Sequence, residues 1–279
     1  MHDAEDVLAA ILKPASDAGE VLRAAIVRKA HLDHHTSTST DILDPSRLSL
    51  SGFSSGGNLA LNLATSVKTD SCTWPSLIPE HGETKIPTLL FFPSFDQTLL
   101  PHERPIPSHL RHHFNVPDTE TTTTANDPSD TDSATTSATD TEKPLSDAKR
   151  APKNHSPNDG TNSSGLRLSQ ILGPTYLPHH QRTHPRASPG LVPNLHSSLH
   201  PRARFFLVLP EIDSLAPQSE AWLVRMRECG REEDVKVERC RGMKHGWTQF
   251  PDFVLGRKGR REKYRVFEGA GTFLDEVGG

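Results

Sequence analysis

No apolar run in this 279-residue chain approaches the roughly 20 positions an α-helix needs to cross a bilayer, and no hydrophobic segment follows Met1. The sequence thus gives no membrane span and no secretory leader, and reads as cytoplasmic. Cysteine is scarce. Cys72, Cys229 and Cys240 make neither an even framework nor a C-x-x-C pair, which excludes a disulfide scaffold and leaves reduced thiols. A strong charge of one sign is also missing. The formal net charge of -4 gives no overall field to attract nucleic acid, and the basic run Arg257-Lys258-Gly259-Arg260-Arg261 is short enough for a solvated face near a C-terminal helix.

Apolar residues make up 33% of the chain and aromatics 6%, low for an α/β core, and the shortage is local. Between Pro117 and Gly165 the only large apolar residue is Leu145, among Thr-, Ser-, Asp- and Pro-rich sequence. Such a stretch cannot bury enough surface to offset chain entropy. Residues 117–165 are therefore predicted to be a disordered low-complexity insert within one α/β domain spanning 1–279. Candidate site residues lie on both sides of it, so it does not divide two domains.

What is present is a set of short β-like and helical runs. Glu5 to Leu12 and Glu20 to Lys29 read as amphipathic helices, with Val7, Leu8 and Ile11, then Val21, Leu22, Ala25 and Ile26, on the apolar faces, and with Pro14 and Gly19 breaking between them. Leu48-Ser49-Leu50, Ile86 to Phe92, Phe205 to Leu209 and Val235 to Cys240 read as strands. The continuous apolar run Phe205-Phe206-Leu207-Val208-Leu209 suits a parallel strand buried on both faces.

Ser54 lies in Gly52-Phe53-Ser54-Ser55-Gly56, a G-x-S-x-G pattern entered from a strand and followed by the helix-forming Gly57-Asn58-Leu59-Ala60-Leu61. A sharp strand-to-helix turn lifts the serine hydroxyl clear of the sheet and demands small residues on both sides. Ser54 is thus a candidate nucleophile. Asp213 follows the strand ending at Leu209, and His245 follows the run ending at Cys240, between Gly242 and Gly246. Ligand sites of open α/β sheets form at the carboxyl ends of strands, so a carboxylate and an imidazole there can meet the serine.

Gly52 to Ala60, Glu211-Ile212-Asp213-Ser214-Leu215 and His245-Gly246-Trp247 together resemble the hormone-sensitive-lipase-like branch of the α/β-hydrolases, in a fungal-type form. The resemblance implies an α/β-hydrolase fold, a mostly parallel sheet with flanking helices. It also implies a carboxylic-ester hydrolase with Ser54 as nucleophile, His245 as general base and Asp213 as its orienting acid. Phe53 stands where relatives usually carry an acid. The family's upstream His-Gly-Gly-Gly-type loop, which supplies oxyanion donors, has no counterpart in the sequence, and Met1 to Leu8 looks like the family helix that comes after that loop. The expectation is an N-terminally incomplete domain. The backbone N–H of Ser55 is then the identifiable oxyanion donor, and the strand Leu48–Leu50 lies at a bare sheet edge open to aggregation.

Two functional readings result. One is a serine esterase cleaving small or medium acyl or aryl esters through an acyl-enzyme; the other is a hydrolase-derived binding protein, or a fragment, impaired for want of an oxyanion hole. A small-molecule ester is the expected partner, and oligomeric state is not legible. The resemblance implies that Gln170 to His200 contributes cap and acyl-pocket elements, which makes Leu172, Tyr176 and Leu177 candidates to line the pocket. The sixteen histidines cluster at His31/His34/His35, His102/His112/His113 and His179/His180/His184 with no ligand spacing, so neither metal nor cofactor is expected.

Overall fold

The computed structural model describes residues 2–30, 42–69, 72–80, 82–100, 103–104, 106–114 and 177–278. The expected insert at 117–165, with Leu172 and Tyr176, lies outside the described residues. Among the described residues, α-helices and strands follow in the order α1 (His2–Leu12), α2 (Asp17–Ala30), β1 (Leu50–Phe53), α3 (Ser55–Leu63), β2 (Val67–Thr69), β3 (Cys72–Trp74), β4 (Ile86–Phe91), α4 (Leu195–Ser198), β5 (Ala203–Ile212), α5 (Ala216–Glu228), β6 (Val235–Lys244) and α6 (Arg257–Gly278). The main sheet has the order β1-β4-β5-β6 and every pair in it is parallel, which is the α/β architecture expected; β2 and β3 form a small antiparallel ribbon.

Strand alternation divides the core in two. Leu90, Phe205, Leu207 and Leu209 point into a cluster with Leu61 of α3 and Trp222 and Met226 of α5. Leu89, Phe91, Phe206 and Val208 point the other way, onto Val266, Ala270 and Phe273 of α6. A strand buried on both faces must read as a continuous apolar run, and β5 does. Each of its fully buried side chains contributes roughly 1.5–3 kcal/mol relative to exposure. The helices on both faces hold the strands' carboxyl ends in one row.

Several boundaries differ from those read in the sequence. The elbow strand occupies 50–53 and not 48–50, because Asp44 caps a 3-10 turn at Pro45–Arg47 and pairing with β4 begins at Leu50 opposite Thr88. Among the described residues β1 has a neighbour on one side only. β5 runs on through Pro210 to Ile212 with a register shift there, and proline is tolerated at such an irregularity because it owes the ladder no donor. β6 likewise extends to Lys244, so His245 follows the strand directly.

The N-terminal helices bury Leu8 as expected but otherwise bury other residues than those read in the sequence. Val7 and Val21 are exposed, whereas Leu8, Ala10 and Val27 are buried. Gly19 does not break α2 but sits inside it. A Cβ there would lie 2.5 Å from the Pro14 carbonyl oxygen, so glycine permits the tight turn between α1 and α2.

Candidate functional site

The turn between β1 and α3 holds Ser54 at φ 53°, ψ -115°, a region non-glycine residues avoid at a cost on the order of 1–3 kcal/mol. Local hydrogen bonds fix it. The N–H of Ser54 donates to the Phe91 carbonyl at 2.9 Å, and the Ser54 carbonyl accepts from Ser94 N at 3.1 Å and Asn58 N at 3.2 Å. The buried Asn58 amide also donates to the carbonyls of Ser94 (2.8 Å) and Ala187 (2.9 Å), tying α3 to the segments on either side.

The turn's need for small residues falls on Gly52 and Gly57. A Cβ on Gly52 would stand 2.1 Å from the Gly56 carbonyl oxygen, and one on Gly57 would stand 2.8 Å from Pro93 Cβ. Gly56, expected to be restricted by the same turn, faces open space. The strand's return onto its own helix crowds the glycine two positions before the serine and the one three after it.

The three separated candidates meet in one hydrogen-bonded chain. His245 Nε2 lies 3.1 Å from Ser54 Oγ, and His245 Nδ1 lies 2.8 Å from Asp213 Oδ2. Asp213 is 2% exposed, and its Oδ1 accepts from Leu215 N at 2.8 Å, so the acid's orientation is fixed from both oxygens. His245 is anchored by its own N–H, which donates to the Ile212 carbonyl at 3.3 Å. Its side chain keeps 39% exposure, and Ser54 is half-buried. Ser55 occupies the first position of α3, and helix N-terminal amides have no intrahelical acceptor, so its N–H is available to a developing anion.

Residues not singled out from the sequence complete the surroundings. Phe92, at φ 39°, sets its ring against the His245 imidazole with centroids 4.8 Å apart, edge to face, and packs on Trp247 at 5.8 Å. Phe53 stacks on Phe91 at 4.5 Å. The Arg104 guanidinium lies in the field of both Asp213 and Asp96; burial pushes its pKa below the usual range while those two carboxylates oppose the shift. Gln218 of α5 joins this region by bonding the Asp96 backbone at both ends of its amide. Nothing in the local sequence of 92, 96, 104 or 218 marks these contacts, since all are made by chain far away.

A cavity of about 420 Å³ opens beside the acid, lined by Leu110, Leu209, Ala216 and Pro217 with Glu220 and Arg239 among its charged residues. It shares Asp213 with the hydrogen-bonded chain but neither Ser54 nor His245. Leu177, expected to line an acyl pocket, is half-buried and does not border it. No group of three or more metal-binding side chains occurs among the described residues. His112 and His113 instead pack ring on ring, 3.8 Å apart.

No protein-family model matches the chain, and no curated protein matches it. Its fold is similar to those of solved esterase structures. One is carboxyl esterase 2 of the mycorrhizal fungus Tuber melanosporum, at 15% identity, covering 91% of this chain and 58% of that one, with a TM-score of 0.43. Another is a hyperthermophilic esterase of the archaeon Pyrobaculum calidifontis, at 17% identity over 85% of this chain and 55% of that one, TM-score 0.47. A third is a thermostable carboxylesterase from a metagenomic library, at 18% identity over 84% and 56%, TM-score 0.44. The chain thus spans between 55% and 58% of the length of these three.

Proposed function

We propose that this chain is a serine hydrolase acting on small or medium acyl or aryl carboxylic esters through an acyl-enzyme. The observation that carries the reading is the continuous Ser54–His245–Asp213 hydrogen-bonded chain, with the serine held in a strained elbow. Ser54 Oγ attacks the ester carbonyl carbon as its proton passes to His245 Nε2. The carbonyl oxygen gains the negative charge and takes a hydrogen bond from the Ser55 N–H. Collapse of this intermediate breaks the bond to the leaving alkoxide, which receives the proton from His245 and departs as the alcohol. Water, deprotonated by the same imidazole, then attacks the acyl-serine; the carboxylic acid is released and the serine proton returns. Asp213 stays ionised throughout, holding the imidazole in the tautomer that presents a lone pair to Ser54.

One identified oxyanion donor sets the expected scale. Removing a single donor from such a site typically costs on the order of 10² to 10³ in rate, so a site resting on Ser55 alone should turn over weakly. Hydrolysis of p-nitrophenyl butyrate by the purified chain and by Ser54→Ala tests the proposal. Turnover above buffer that vanishes in Ser54→Ala supports it. Turnover equal in both proteins, or none in a folded wild type, contradicts it.

A further inference from the structure

The chain leaving the histidine loop forms the most exposed apolar surface among the described residues. Phe253 is 88% exposed and Val254 59%, and Phe250 stands beside them; Tyr264 of α6 is 58% exposed. A monomeric protein seldom leaves a large aromatic side chain uncovered in this way unless the patch meets something apolar. The patch is also held in place. Asp252 accepts hydrogen bonds from Lys263 Nζ, at 2.9 Å, and from the Tyr264 hydroxyl, while Lys263 also donates to the Phe250 carbonyl at 2.9 Å. The loop at 250–254 is thereby pinned along the beginning of α6.

The neighbouring charges are mostly of one sign. The buried stripe of α6 is Val266, Ala270 and Phe273, so helical geometry puts Arg257, Arg260, Arg261 and Tyr264 on the opposite, outward face, with Glu268 one turn further on. Lys258 lies over Gly242, its Nζ 2.8 Å from where a Cβ would stand, which brings the exposed Arg241 and Lys244 of β6 to the same end of the helix. Of the nearby carboxylates, Asp252 is committed as described, Glu211 to the N–H of Gly242 and Glu262 to Arg265, while Glu268 is exposed. Arg257, Lys258 and Arg261 have no carboxylate within ion-pair distance among the described residues.

We infer that this face docks on an anionic phospholipid bilayer, with Phe253 and Val254 entering the headgroup boundary while Arg257, Lys258, Arg260 and Arg261 meet the lipid phosphates and carboxylates. Projecting aromatic and aliphatic side chains beside a row of cations match a surface that is apolar beneath and negative above. A soluble polyanion would satisfy the cations but leave Phe253 and Val254 in water, so the apolar projection favours the bilayer. The docking loop begins five residues after His245.

The test is co-sedimentation of the full chain, and of its Ser54→Ala variant, with vesicles of phosphatidylcholine alone and of phosphatidylcholine with 30% phosphatidylserine. Both proteins should bind the anionic vesicles, bind the neutral ones at least ten-fold more weakly, and release as salt rises. Phe253→Ser with Val254→Ser should remove most binding without changing far-UV circular dichroism. Each cation replaced by glutamine should weaken binding by about five-fold, and the four together by on the order of 10² or more. Absence of binding, equal binding to neutral vesicles, or binding unaltered in the Phe253/Val254 variant would overturn the inference. So would light scattering that shows a dimer dispersed by the same two substitutions, since a second copy would then be what covers the patch.

Discussion

Phe92 braces His245: its ring meets the imidazole edge to face with centroids 4.8 Å apart, and it does so from a residue at φ 39° directly after β4. The Phe92 N–H donates to the Val208 carbonyl at 2.9 Å, so the sheet itself sets the ring's position. Phe92→Ala should leave the imidazole free to tilt away from Ser54. A displacement of about 1 Å in a reacting group can cost on the order of 10² in rate, so kcat should fall by roughly that factor with KM nearly unchanged. Steady-state kinetics on a p-nitrophenyl ester, beside a thermal melt, separates this positioning loss from simple unfolding.

The elbow glycines should divide sharply. Gly52→Ala drives a methyl into the Gly56 carbonyl and Gly57→Ala drives one onto the Pro93 ring. Backbone and proline atoms cannot swing aside, so each should cost at least about 1–3 kcal/mol, Gly52→Ala the more. Gly56→Ala meets open space and should raise stability by about 0.5–1 kcal/mol, because alanine loses less backbone entropy in a helix. Melting temperatures of the three variants check the order.

Asp213 and His245 should fail as a unit. Asp213→Asn keeps the shape but favours the wrong imidazole tautomer, and turnover should drop by up to about 10⁴. His245→Ala should be comparably damaging and the double variant little worse, since the second change removes a partner already idle. Losses that multiply would show that the two residues serve separate mechanisms.

A pH dependence of stability is expected from His200, which lies far from the site. Burial holds its imidazole below its usual pKa of 6.5, only partly offset by the bond between Nε2 and the Pro79 carbonyl. Its Nδ1 also accepts from Arg202 N at 3.3 Å, a bond that protonation would end. The unfolded chain therefore binds the proton more readily, and stability is full above about pH 6.5 and declines as pH falls below it. Thermal melts between pH 7.5 and 5 should show this decline, and His200→Gln should flatten part of it.

The order of serine, acid and histidine, and their places beyond strand ends, were legible because each follows a strand-like run that yields to a turn, continuous and apolar before Asp213 and alternating before His245. The α/β class was legible for the same reason in β5, whose unbroken apolar run follows from burial on both faces. The reach of β5 and β6 beyond the runs read as strands was not, because Pro210 and the charged end of β6 are carried by pairing with a neighbour and not by their own propensities. Gly56 was misread because only the folded path shows which glycines the chain crosses. Phe92, Arg104 and Gln218 have no sequence signature at all; their partners lie on other elements.

Ser54 is proposed to be a nucleophile activated by His245. The most direct measurement is the site of covalent modification after incubation of the folded chain with a fluorophosphonate, located by peptide mass spectrometry. A single adduct on Ser54, abolished in Ser54→Ala and slowed by on the order of 10³ or more in His245→Ala, is the expected result. An adduct on Ser55 or elsewhere with Ser54 unmodified, or labelling of Ser54 at the same rate without His245, would contradict it.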